Sequence, residues 1–213
     1  MTGQQRVLRF AFFGFALLFV VSLVFYPHPW GWVIKTIPAL SLALLAAISV
    51  PDLTGKLLSV ALLFSAAGDA ALGLNDLYGG DYFVLGLGLF LVAQLVYVIT
   101  FARGFQAQRS RLPLAGLLIA YSLALALILR PGLGDLALPV FVYIVVITAM
   151  GILGVLRATK STSLAVGAVA FMLSDSVVAI NKFLMPIPGH RFLTIVTYFF
   201  AQYMITQAFI QDQ

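Results

Sequence analysis

Apolar positions along this chain come in runs of roughly 20, the length a helix needs to cross the hydrocarbon of a bilayer, separated by short polar punctuation. Eight such runs are predicted as helices, at approximately 8–26, 33–50, 57–74, 82–102, 112–129, 136–156, 163–181 and 192–210. The gaps between them carry helix-ending turn formers: Tyr26-Pro27-His28-Pro29, Pro51-Asp52, Tyr78-Gly79-Gly80, Pro131-Gly132 and Pro186-Ile187-Pro188-Gly189. Nearly every residue belongs to a span or a short turn, so the expected fold is all-α. It is a single polytopic membrane domain over 1–213 with eight transmembrane helices and no separate soluble domain. Arg6 and Arg9 ahead of the first run resemble the start of a signal peptide. That run exceeds a usual signal core, lacks a clear A-x-A site, and is read as the first span.

Composition sharpens this picture. Hydrophobic residues make up 62% of the 213 and charged residues only 9%, about a third of the share in a soluble domain. With a mean hydropathy of +1.10, the apolar residues cannot all hide in one core. The absence of cysteine excludes disulfides and thiolate chemistry. With two histidines and no glutamate, no metal site is expected, and no cofactor is assigned.

The basic residues report orientation. With the N-terminus cytoplasmic, the inner segments hold Arg6, Arg9, Lys56, Arg103, Arg109, Arg111, Arg157 and Lys160, and the outer side holds Lys35, Arg130, Lys182 and Arg191. Both termini are therefore expected inside, in the cytoplasmic (inner) membrane of a bacterium. The net charge of +5 then reads as a topogenic signal and an affinity for anionic lipid heads. No clustered basic patch with interleaved aromatics suggests a nucleic-acid partner, and no required protein partner is evident.

The acids are seven aspartates. Asp52, Asp76, Asp81, Asp135 and Asp212 are expected in turns or at the tail, where a solvated carboxylate is ordinary. Asp69 and Asp175 instead fall inside the third and seventh runs, each about 12 residues from its predicted start, or roughly 18 Å at the helical rise. Their surroundings echo each other: Gly68-Asp69-Ala70-Ala71-Leu72-Gly73-Leu74-Asn75 parallels Ser174-Asp175-Ser176-Val177-Val178-Ala179-Ile180-Asn181. Ala93-Gln94 in the fourth run likewise parallels Ala201-Gln202 in the eighth. The offsets of 106 and 108 residues suggest a tandem repeat of two four-helix halves, 1–106 and 107–213.

An ionisable group in a bilayer costs at least about 2.5 kcal/mol on the most lenient scale, so such residues usually serve a function and face a cavity or a partner. The plainer alternative is that each aspartate ties helices together through a neighbouring polar side chain. Lys35, Lys182, His190 and Arg191 fall on the same side as the two acids, where a phosphate head group would find cations. Snorkelling at the membrane boundary would also explain Lys182 and Arg191. Asn75 and Asn181 close the two echoed motifs, and Gln94, Tyr97, Tyr198 and Gln202 on the returning helices are candidates to hydrogen-bond the carboxyls or a substrate.

A Lys-bearing second span, Gly68-Asp69 in the third, Ala93-Gln94-x-x-Tyr97 in the fourth, Ser174-Asp175 in the seventh and Tyr198-x-x-Ala201-Gln202 in the eighth resemble the YhhN family over nearly the whole chain. Two positions differ from the expected pattern: Lys35 is separated from Pro38 by Thr36 and Ile37, and Gln94 stands where many members have histidine. The resemblance implies a lysoplasmalogenase with Asp69 and Asp175 as its catalytic pair. Such an enzyme cleaves the vinyl ether of a lysophospholipid to a fatty aldehyde and a glycerophospho-ethanolamine or -choline. Vinyl ethers yield to acid through slow protonation at carbon, and a carboxyl in a membrane interior near a second carboxylate favours its protonated form. In this scheme one aspartate protonates the vinyl carbon while the other stabilises the cation and activates water. A proton-coupled carrier of small molecules or lipids would also use two intramembrane acids in duplicated halves. An intramembrane aspartyl protease would pair them too.

Overall fold

The computed structural model describes residues 2–213 and is all-helical. Among the described residues, eight helices are long and apolar enough to cross a membrane: α1 (Gly3–Ser22), α2 (Gly31–Ser49), α3 (Leu53–Tyr78), α4 (Tyr82–Ala102), α5 (Leu112–Leu129), α6 (Ala137–Leu156), α7 (Ser163–Phe183) and α8 (His190–Gln211). Phe10, Leu17, Leu117, Leu127 and Val145 stand exposed. In lipid that exposure has no hydrophobic cost, since lipid tails are as apolar as the side chains themselves. The protein is an integral membrane protein.

The fourth and fifth predicted spans coincide with α4 and α5, while α3 begins a full turn earlier than predicted. The cause is local. The Asp52 carboxylate accepts from the Gly55 backbone N–H at 3.1 Å and so caps the helix ahead of its apolar run. Consequently Asp69 and Asp175 do not lie at equal counts from their helix starts. They lie at nearly equal counts, a little over two turns, from the helix ends at Tyr78 and Phe183. Thr2 caps α1 through a reciprocal box with Gln5.

The chain divides into two compact units, one running to Thr100 and the other from Phe101 to Asp212. In the first, α2 and α3 form an antiparallel hairpin whose seam is set by small residues. A Cβ on Gly55 would meet the Val50 carbonyl, Ser59 Oγ donates to the Ala43 carbonyl at 2.8 Å, and a Cβ on Gly73 would lie 2.6 Å from that of Trp32. α4 returns along α3 with the Phe90 ring over Gly68 and Leu72 against Gly86.

In the second unit α7 runs antiparallel to both α6 and α8. Gly151 faces Met172 and Gly154 faces Ala168 on the α6 side. On the α8 side a Cβ on Gly167 would lie 2.9 Å from the Ala201 carbonyl, and Phe171 meets Tyr198 edge to face. Arg157, just past α6, donates to the carbonyls of Phe101 and Arg103 at the end of α4 and lies over the Phe209 ring at 5.4 Å. Burial lowers its pKa, with Asp212 opposing the shift.

Backbone rather than a flexible side chain meets Gly167, so a larger residue there has nowhere to go. Gly167→Leu is expected to cost about 1–3 kcal/mol by overpacking, read as a lower thermal midpoint in detergent. Gly116→Ala, with open space around its Cβ, should leave the midpoint unchanged or slightly raised.

Candidate active site

Two polar centres lie in the interiors of the two units, each built around one of the singled-out aspartates. In the first unit, Asp69 on α3 is 1% exposed and its Oδ1 lies 3.1 Å from Lys35 Nζ on α2. The hairpin register produces this contact. Trp32 and Lys35 are one turn apart on α2, and Gly73 and Asp69 one turn apart on α3, so the close approach at Trp32 and Gly73 brings the next turns within reach. The Tyr97 hydroxyl, fully buried on α4, is turned toward Ser65, one turn before Asp69, and lies in the field of the Asp69 carboxylate.

Gln94 is one turn before Tyr97 on the same helix. It is 0% exposed, and neither of its amide atoms has a hydrogen-bond partner among the described residues. Its counterpart in the second unit explains the difference. Gln202 Nε2 donates to the Tyr198 hydroxyl, four residues earlier, at 2.8 Å. Four residues before Gln94 stands Phe90, which has no hydroxyl to offer.

In the second unit the Tyr143 hydroxyl on α6 donates to Asp175 Oδ2 on α7. Asp175 is half-buried and flanked by two serines whose hydroxyls go to backbone. Ser174 Oγ donates to the Thr194 carbonyl of α8 at 3.0 Å, and Ser176 Oγ to the Met172 carbonyl at 2.7 Å. Thus α2 supplies the partner of the acid on α3, and α6 supplies the partner of the acid on α7. One partner is an ammonium and the other a phenol.

The remaining candidates lie toward helix ends. Asn75 is half-buried near the end of α3, where its carbonyl accepts from Gly79 N. Asn181 Oδ1 accepts from the Ile187 backbone N–H at 3.0 Å and so organises the turn before α8. Lys182 is exposed in the last turn of α7, while His190 and Arg191 open α8, with His190 Nδ1 at 3.2 Å from the Ile187 carbonyl. Lys35, expected to meet a phosphate, instead meets a carboxylate. Sequence reasoning missed Tyr143 altogether, although it stands 108 residues after Lys35, the offset already visible between Gln94 and Gln202. Among the described residues no group of three or more histidines and acids comes together.

Comparison with known proteins places these residues in context. The YhhN family model matches residues 30–209. The chain is similar to lysoplasmalogenase TMEM86A of Homo sapiens, 35% identical over 162 residues that cover 72% of this chain and 65% of that protein. It is similar to lysoplasmalogenase of Mycobacterium tuberculosis (strain CDC 1551 / Oshkosh), 34% identical over 177 residues, covering 78% of this chain and 66% of that protein. To lysoplasmalogenase TMEM86B of Sus scrofa it is 32% identical over 205 residues, covering 94% and 85%. The matched segment thus spans just under two thirds of the first two relatives' length. No solved structure matches the chain.

Removing one member of a buried ion pair strands the other. Lys35→Met and Asp69→Asn are each expected to cost about 3 kcal/mol, read by chemical or thermal unfolding in detergent. The double variant should recover more than half of that loss, because it leaves no uncompensated charge.

Proposed function

The chain belongs to the YhhN family, and from that premise we propose that it is a lysoplasmalogenase-like hydrolase. Its substrate is the vinyl ether of an alkenyl-glycerophosphoethanolamine or -choline, drawn from the surrounding lipid and cleaved to a fatty aldehyde and a glycerophospho head group. The observation that carries the reading is the setting of the two acids. Asp69 and Asp175 lie inside apolar helices, and each is held by a side chain from the preceding helix, Lys35 or Tyr143. Polar groups so placed are costly and usually functional, and the relatives' names give that function a class.

The chemistry divides between the acids. One carboxyl delivers a proton to the vinyl carbon, and the ether oxygen lone pair forms the oxocarbenium ion. The other, as carboxylate, stabilises that cation and takes a proton from the attacking water. The hemiacetal then collapses to aldehyde and alcohol. Lys182, His190 and Arg191 supply cations toward one end of the second unit for the phosphate. Gln94 and Gln202 offer amides to the glycerol hydroxyl and ether oxygens. The reaction consumes water alone and calls for no cofactor.

The two-unit division and the matching partners of Asp69 and Asp175 support a tandem repeat of four-helix halves. With eight spans both termini share one side, and the basic residues favour the cytoplasmic face of a bacterial inner membrane.

Purified protein in detergent, given an alkenyl lysophospholipid, should release aldehyde, and Asp175→Asn should lower that turnover at least about a hundredfold while the protein stays monodisperse. A proton-coupled carrier would instead release none in detergent and would move solute only across sealed vesicles. A fully active Asp175→Asn protein would refute the acid pair. Gln94→Leu should raise the thermal midpoint, since an unpartnered buried amide costs about 1–3 kcal/mol, and should raise KM more than it lowers kcat.

A further inference from the structure

The two acids of the proposed reaction are chemically equivalent side chains, so their roles must come from their partners. Asp69 faces an ammonium at 3.1 Å inside an apolar seam. An ammonium in that position is matched by a carboxylate and loses its counter-charge if the acid is neutral. Asp175 receives the Tyr143 O–H at Oδ2. A phenol is a neutral donor that a protonated carboxyl accepts at its carbonyl oxygen as readily as a carboxylate does. That bond occupies Oδ2 and directs the acid proton to Oδ1.

Tyr143 is itself pinned. It is 9% exposed on α6, whose neighbouring turns are locked against α7 by the contacts of Gly151 with Met172 and Gly154 with Ala168. A carboxyl free to rotate about its χ2 would present either oxygen to the substrate. The phenol removes that freedom.

We propose, building on the vinyl-ether reading, that Asp175 is the proton donor, that Tyr143 is the positioning residue holding its Oδ1–H toward the substrate, and that Asp69, paired with Lys35, is the standing carboxylate. In the first step the Asp175 O–H bond breaks as the vinyl π electrons form the new C–H bond. The ether oxygen lone pair becomes the C=O⁺ bond of the oxocarbenium ion. Water adds at that carbon and gives one proton to the Asp69 carboxylate. The hemiacetal O–H proton ends on the glycerol oxygen as the C–O bond breaks. Asp69 then releases its proton and Asp175 regains one, so the net change is one water consumed.

Infrared difference spectra of the full-length protein in detergent test the assignment without any substrate. Wild type minus Asp175→Asn at neutral pH should contain the carbonyl stretch of a protonated carboxyl. Tyr143→Phe should move that band to higher frequency through loss of its hydrogen bond. Wild type minus Asp69→Asn should show carboxylate bands and leave the protonated band in place. Kinetics supply the second arm. Tyr143→Phe should lower kcat at least about tenfold with KM within about twofold, and the D₂O effect on kcat should grow as proton transfer becomes slower. A protonated band that disappears in Asp69→Asn and persists in Asp175→Asn would overturn the assignment, as would a Tyr143→Phe enzyme with unchanged kcat. If wild type releases no aldehyde while the infrared pattern holds, the fault lies in the substrate reading and not in the protonation of the two acids.

Discussion

A charge inside an apolar medium must be matched at short range or abandoned, and this constraint organises the first unit of the protein. Asp69 is all but sealed from its surroundings, so a cation has to come to it from within the chain. Lys35 comes from α2, and for its ammonium to arrive the two helix backbones must run close together. The hairpin is accordingly lined with small residues: Gly55 under Val50, Ser59 on Ala43, Gly73 under Trp32. Packing without side chains yields little dispersion energy per residue, yet in lipid it is close packing and hydrogen bonds that drive helices together. The electrostatic requirement and the packing requirement thus select the same residue types at the same seam.

The second unit solves a similar problem with different materials. Its acid is only half-buried and takes a phenol from α6. Its small neighbours are serines that return their hydroxyls to backbone carbonyls. The amide of Gln202 is likewise held by Tyr198, while that of Gln94 has only Phe90 at the equivalent position. Each half therefore holds one polar feature tightly and leaves another poised. Asp69 is charge-paired beside an amide with no internal partner, and Asp175 is held by a neutral donor beside an amide already engaged. Two copies of one plan have been specialised in opposite directions.

Much of this was readable from the chain because lipid imposes simple rules on composition. The limits of α4 and α5 follow directly from where apolar residues stop, and the two buried acids stand out because charge is scarce. The start of α3 was less visible, since Asp52 reads equally well as a turn residue or a cap, and only its contact with Gly55 N decides between them. Lys35 was legible as an unusual cation but not as Asp69's partner, because helix register is set by glycine contacts that have no linear signature. Tyr143 was hidden for a different reason. In a chain with eight tyrosines and 18 phenylalanines, an aromatic in an apolar run looks like filler until a carboxylate is found opposite its hydroxyl.

Gly73 is two turns of chemistry away from any reacting atom, yet its missing side chain acts as a gauge. It fixes the spacing between α2 and α3 at the level of Trp32, and through that spacing it fixes how long a cationic side chain must be to meet Asp69. A longer guanidinium would overshoot into the Tyr97 and Ser65 region, and a shorter amine would stop short. The identity of residue 35 and that of residue 73 are therefore one variable. A family drifting in sequence can change the cation only by changing the gap, so a glycine with no chemistry of its own bears on which residues the site is able to try.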